Sequence, residues 1–157
     1  MSDELPDLQA EARSASRVLV AFLNPGADAR TLTQALRPKP EDYARVFRPE
    51  IAEEMAGLYA TLWAGDPVIL RKPHQSALIA RACPAAAFLP GNPMMSYFPG
   101  GYAGIADWLA PERIWVAWKF VAGGETIGMA YEGLVLLDDR WAWFPRPYIV
   151  LRKLSTH

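Results

Sequence analysis

Ile114-Trp115-Val116-Ala117-Trp118-Lys119-Phe120-Val121, with Gly123-Gly124 close behind, decides the class of this chain. Aromatic and β-branched residues crowd the run from Arg113 to Val121, as strands favour. The paired glycines turn it into a second apolar run from Thr126 to Leu137, the pattern of a hairpin. Asp138-Asp139 makes another tight turn into Arg140 to Phe144, and Tyr148 to Leu151 is expected to continue or resume that strand. Consecutive strands joined by short turns form a meander. Pro145 and Pro147 cannot donate to a ladder, so the last strand is expected to be broken, bulged or at an edge there.

Upstream, the chain reads as helix. Leu8, Ala12, Ala15, Leu19 and Phe22 recur at helical spacing until Asn24-Pro25-Gly26. Asp28 can cap a second short helix carrying Leu32, Ala35 and Leu36, interrupted by Arg37-Pro38-Lys39-Pro40. A third piece, Glu41 to Phe47, presents Tyr43, Val46 and Phe47 together. Pro49 then opens a fourth helix whose stripe is Ile51, Met55, Leu58, Tyr59 and Leu62. Glu50, Glu53 and Glu54 suit its positive end, and Gly65-Asp66-Pro67 stops it.

The middle is less regular. Val68-Ile69-Leu70 reads as a short buried strand, and Met94 to Phe98 as another, closed by Pro99-Gly100-Gly101. Ile105, Trp108 and Leu109 suit a short helix ended by Pro111, whereas His74 to Leu89 is rich in alanine and has no clean period. With no repeat, low-complexity tract or linker, residues 1–157 are expected to form one α+β domain, N-terminal helices packed on a C-terminal antiparallel β-meander. In element order this resembles the cone-shaped cystatin-like and nuclear-transport-factor-like arrangements, which implies a pocket between helices and sheet.

A hydrophobic fraction of 52% with 21% charged residues is that of a folded globular protein. A net charge of −1 supplies no long-range attraction to phosphate backbones or anionic lipid, so neither nucleic acid nor membrane is an expected partner. The single cysteine, Cys83, has no internal disulfide partner, the stretch Met1 to Gln9 lacks the basic start and apolar run of a signal peptide, and no later stretch is apolar for long enough to span a bilayer. A cytoplasmic location is expected.

Little chemistry is written in the chain. Only His74 and His157 are available as imidazole ligands, and no metal-binding spacing accompanies them. No cofactor is expected either. The glycines between Pro99 and Gly104 lack the lysine and the hydroxyl residue of a nucleotide-binding loop, and no βαβ unit supports a dinucleotide fingerprint. Cys83 lies nine positions after His74, its only plausible base, in an apolar context that would not lower its pKa. It reads as a small buried side chain. Ser76 gains no triad geometry from His74 by spacing alone.

The strand faces say more. Ile114, Val116, Trp118 and Phe120 alternate with Trp115, Ala117, Lys119 and Val121, so both faces are largely apolar and both require cover. The cover is the rest of the chain, a twin subunit, a partner or a ligand. Trp115, Tyr131, Trp143 and Arg146 are the binding-surface candidates, because aromatic residues with arginine are enriched at interfaces. The expected function is therefore a non-catalytic cytosolic protein-binding module, for example an inhibitor or immunity-type antagonist. One alternative is a pocket protein or small enzyme for a small apolar ligand, with His74, Asp107 and Glu132 as acid/base candidates. Glu132 stands out there, mid-strand among apolar neighbours where desolvation would raise its pKa. The other alternative is a structural self-association domain.

Overall fold

The computed structural model describes residues 8–154; most of the acidic stretch Met1 to Gln9, and His157, lie outside the described residues. Helices pack against a four-stranded antiparallel sheet of order β1-β2-β3-β4. The chain is thus α+β.

Helix α1 (Leu8–Leu19) tightens into a 3-10 turn, Val20–Leu23, where Asn24-Pro25-Gly26 ends it. Helix α2 (Ala29–Gln34) is capped as its sequence implies: Asp28 accepts from the Thr31 N–H at 3.2 Å and from the Thr31 hydroxyl at 2.8 Å. A 3-10 turn, Pro40–Asp42, leads into α3 (Tyr43–Val46). Helix α4 (Pro49–Ala64) starts on its proline and buries Ile51, Ala52, Met55, Tyr59 and Trp63, a stripe rotated slightly from the one Leu58 and Leu62 suggested. Those two leucines stay partly exposed beside the core.

The strands are β1 (Ala77–Pro84), β2 (Ile114–Val121), β3 (Gly128–Leu137) and β4 (Arg140–Trp143). The last three form the expected meander, but β1 adds an edge strand from within the alanine-rich stretch His74 to Leu89. Its alanines have weak strand preference, and their small side chains let α1 pack close on it, with Ala15 of that helix fully buried.

Three strand expectations are corrected. Val68-Ile69-Leu70 has no regular structure; side chains pin it instead. The buried Ile69 donates its N–H to Thr33 Oγ1 at 2.9 Å, and Leu70 is held by the Tyr131 hydroxyl. Met94 to Phe98 lies largely within a 3-10 helix, Pro93–Tyr97, because Asn92 caps it by accepting from the Met94 N–H and Pro93 fits its first turn. Tyr148 to Leu151 belongs to α6 (Pro147–Arg152), again because a proline opens a helix better than it continues a strand. The expected short helix near Ile105 is α5 (Gly101–Ile105), followed by a 3-10 turn, Ala106–Trp108.

The chain covers both sheet faces itself. On the first, Phe22 lies against Phe120 at 6.2 Å, the Trp141 indole donates to Ser14 Oγ at 3.1 Å, and Trp63 meets Trp143 edge-on at 6.0 Å. On the second, Trp115 is fully buried among Phe88, Tyr102 and Phe144 at 6.3, 5.6 and 6.4 Å. This cover stops short of the β2–β3 turn, where Ala130 is exposed and Ile79 and Lys119 are half-buried.

A bulge sets which face each β3 residue takes. Val116 pairs with Leu134 but Ala117 pairs with Glu132, so Gly133 is the extra residue. Its φ of +100° and the Phe144 carbonyl oxygen, 2.3 Å from where a Cβ would sit, leave room only for glycine.

Candidate functional site

Strand β4 pairs only with Leu134–Leu137, so Gly128 to Glu132 has β2 on one side and no strand on the other. A cleft of about 450 Å³ opens along this bare margin. Leu62, Pro67 and Val68 form one wall, and Ile149, Val150 and Lys153 the other. Trp143, Pro145 and Arg146 close one end over a floor of Ala130, Tyr131 and Glu132.

Each floor residue is held from outside the strand. The Tyr131 hydroxyl donates to the Leu70 carbonyl at 2.8 Å and accepts from the Leu70 N–H at 2.9 Å, while its ring stacks on Trp118 at 5.5 Å. The buried Trp143 donates its indole N–H to the Glu132 backbone carbonyl at 2.9 Å. Arg146 takes a left-handed conformation, φ 49° and ψ 55°, uncommon for a residue with a Cβ. That corner carries its backbone N–H onto Glu132 Oε1 at 3.0 Å, and Tyr59 secures it by donating to the Pro145 carbonyl at 2.9 Å.

Glu132 Oε1 also accepts from the Tyr102 hydroxyl at 2.7 Å. Burial pushes the Glu132 carboxyl above its ordinary range; the Tyr102 and Arg146 hydrogen bonds and the Arg146 charge act in the opposite sense. Burial likewise holds the Tyr102 phenol well above its usual value, with the Glu132 charge adding to it. Among the described residues no ion pair involves Glu132. Tyr102 reaches the carboxylate because α5 lies close on α6: a Cβ on Gly101 would come within 2.6 Å of the Tyr148 ring.

The structure therefore brings Tyr131, Glu132, Trp143 and Arg146 together in one cleft. Trp115 stands behind them in the core, in ring contact with Tyr102. His74 and Asp107 are both exposed, and neither lines the cleft. The Asp107 backbone carbonyl accepts from the Arg48 guanidinium, which ties its turn to the start of α4. Cys83 is fully buried, and desolvation pushes its thiol up to about 11. Sequence reasoning missed Tyr102 and Tyr59, whose partners lie 30 and 86 residues away. Only Gly133, a lone glycine inside a strand run, carried a local signal of the bulge that aims Glu132.

A smaller depression of about 240 Å³ adjoins the cleft, sharing Ala130 and Tyr131. Ile79, Ala117 and Lys119 line it, and Arg81 lies over the Tyr97 ring at 4.9 Å. Chemically, the cleft offers one carboxyl able to accept a hydrogen bond or hold a proton, set among apolar and aromatic walls.

Comparison of the chain with protein-family models, with curated proteins and with solved structures finds no match. Among the described residues no helix is long and apolar enough to cross a membrane.

Proposed function

We propose that the protein is a non-catalytic binding protein whose working site is the cleft along β3, occupied by a small, largely apolar ligand. The convergence of Tyr131, Glu132, Trp143 and Arg146 on one cleft carries this reading. Its volume lies in the range of small-molecule sites, and its lining follows their pattern of apolar walls with a few placed polar groups. A single carboxyl without a neighbouring nucleophile suits recognition better than turnover. A cytoplasmic location agrees with the free thiol of Cys83.

The bare margin of β3 favours a second reading, the protein-binding module. An extended segment of a partner, or of a second copy, would add as a strand beside Gly128 to Glu132, with side chains entering the cleft. An inhibitor or antagonist would use this margin.

Native mass spectrometry of the protein purified gently from cells separates the two. A small-molecule adduct that disappears in Val68→Trp supports the ligand reading, because Val68 lies outside any helix or strand and an indole there fills the cleft. A stoichiometric protein partner, or a dimer lost in the same variant, supports strand addition. Adduct and partner both unchanged in Val68→Trp would remove the cleft from either role.

A further inference from the structure

We infer that the ligand of this cleft is an apolar monoamine whose ammonium group pairs with the Glu132 carboxylate while its hydrocarbon body lies between Val68 and Ile149. The inference rests on the small-ligand reading above. Its warrant is a mismatch in the charges of the cleft floor. Glu132 lines an otherwise apolar cavity, yet its hydrogen bonds come from a phenol and a backbone N–H, and both fall on Oε1. Among the described residues no cation lies within ion-pair distance of it. A part-buried carboxylate left in this state is costly, and either a proton or a cation entering the cleft relieves the cost.

An ammonium fits better than a guanidinium or a metal ion, because one oxygen of the carboxylate is already engaged and a bidentate fork has no second free acceptor. The adjacent aromatic side chains are compatible with the same charge: Tyr131 and Trp143 both line the cavity. The Arg146 cation sets the number of charges. The exposed Arg146 guanidinium lines the cleft, and its charge, which already acts on Glu132, tempers the hold on a single ammonium without cancelling the contact pair. A second ammonium at the outer end of the ligand would add like-charge repulsion from the exposed Arg146. A monoamine is selected over a diamine.

The binding should follow the protonation of Glu132. The groups facing it are Tyr102 on α5, Tyr59 on α4, Tyr148 on α6 and Arg146 at the corner, with Arg152 and Lys153 beyond. Lys119 on β2 and Arg81 on β1 stand on the same sheet face. The three phenols are all raised above their ordinary value and stay neutral between acid and neutral pH. Over that range the titrating group is Glu132, so amine affinity rises with pH as its carboxyl ionises.

Hexylamine, hexanol, hexanoate and hexamethylenediamine share one body and differ in charge. Their affinities are read from the shift of the Trp143 indole N–H resonance in the full chain. Hexylamine is expected to bind about tenfold tighter than hexanol at neutral pH, the worth of one charge-assisted hydrogen bond, and hexamethylenediamine more weakly than hexylamine. The advantage over hexanol should vanish at acid pH and in Glu132→Gln. The acid-pH comparison on the native chain serves if that variant does not fold. Hexylamine no tighter than hexanol, or hexanoate tighter than both, overturns the amine inference while leaving the cleft as a ligand site. No shift with any of the four overturns the cleft reading as well.

Discussion

Two acidic corners of this molecule answer the same problem in opposite ways. Asp42, at the end of the Pro40–Asp42 turn, is fully buried, and each of its oxygens is engaged: Oδ1 accepts from Arg140 Nη2 at 2.5 Å and Oδ2 from the Lys39 N–H at 2.7 Å. Its charge is matched within the chain, and the match ties the turn to the start of β4. Glu132 is only part-buried, is held through one oxygen, and has no ionic partner among the described residues. A charge neutralised in the chain fastens the fold, whereas one held in place but left unmatched is poised for something that arrives from outside.

The comparison breaks most severely at Gly133. Gly133→Ala forces a Cβ into a left-handed residue against the Phe144 carbonyl, and should cost about 3 kcal/mol, combining backbone strain with a clash that must push β3 and the Phe144 segment apart. Chemical denaturation should register this as a lower midpoint. Loss of ligand binding should accompany it, because the bulge orients Glu132. Arg140→Ala comes next. It strands the buried Asp42 carboxylate, and about 2–3 kcal/mol is expected, less than for a fully enclosed pair because the Arg140 side chain is 30% exposed. A stability loss under 0.5 kcal/mol, by roughly the standard of an ordinary surface change, would mean that the pairing is dispensable and the contrast with Glu132 is void.

Glu132→Gln should have the smallest effect on stability, within about 1 kcal/mol at neutral pH, since an amide oxygen can still accept from Tyr102 and Arg146. Its pH dependence is the sharper test. The folded carboxyl is raised above its ordinary 4.5, so the folded chain holds this proton more tightly than the unfolded chain does. The native protein should therefore lose stability, relative to the variant, as pH climbs from 4.5 through the raised value, and the difference should level off above it. Denaturation midpoints of both chains across that window give the sign. A native protein that gains on the variant with rising pH would show that Glu132 has an ionic partner after all.

Where a run carried its own period and its own stop, the sequence could be read directly. Pro49 and the spacing of Ile51, Met55 and Tyr59 located α4, and Gly123-Gly124 between two strand-forming runs located the β2–β3 hairpin. Where identity was decided by a neighbour, it could not. The alanines of β1 have no preference that survives without α1 lying over them, and the apolar run Tyr148 to Leu151 looks the same as strand or helix until Pro147 is seen to start a turn. The site divides along the same line. Glu132 was visible as a carboxylate out of place among apolar residues, but what holds it is Tyr102, on a helix brought near by the packing of Gly101 under Tyr148. Trp115 was visible as a surplus aromatic, and its surplus was spent inside the core.

The bulge at Gly133 makes the cleft depend on a count. Pairing resumes beyond it with Glu132 opposite Ala117, on the face that carries Trp115. Close the bulge so that Gly133 pairs in turn with Ala117, with Leu134 still opposite Val116, and every position before it turns over: Tyr131 would fall on the face of Lys119, and Glu132 would be driven against Trp118. No residue of the cleft would have changed its identity, yet aromatic floor and carboxylate would have traded sides. The address of the carboxylate is stored in how β3 pairs as much as in its letters, and closing that bulge would erase the site more completely than many substitutions within it.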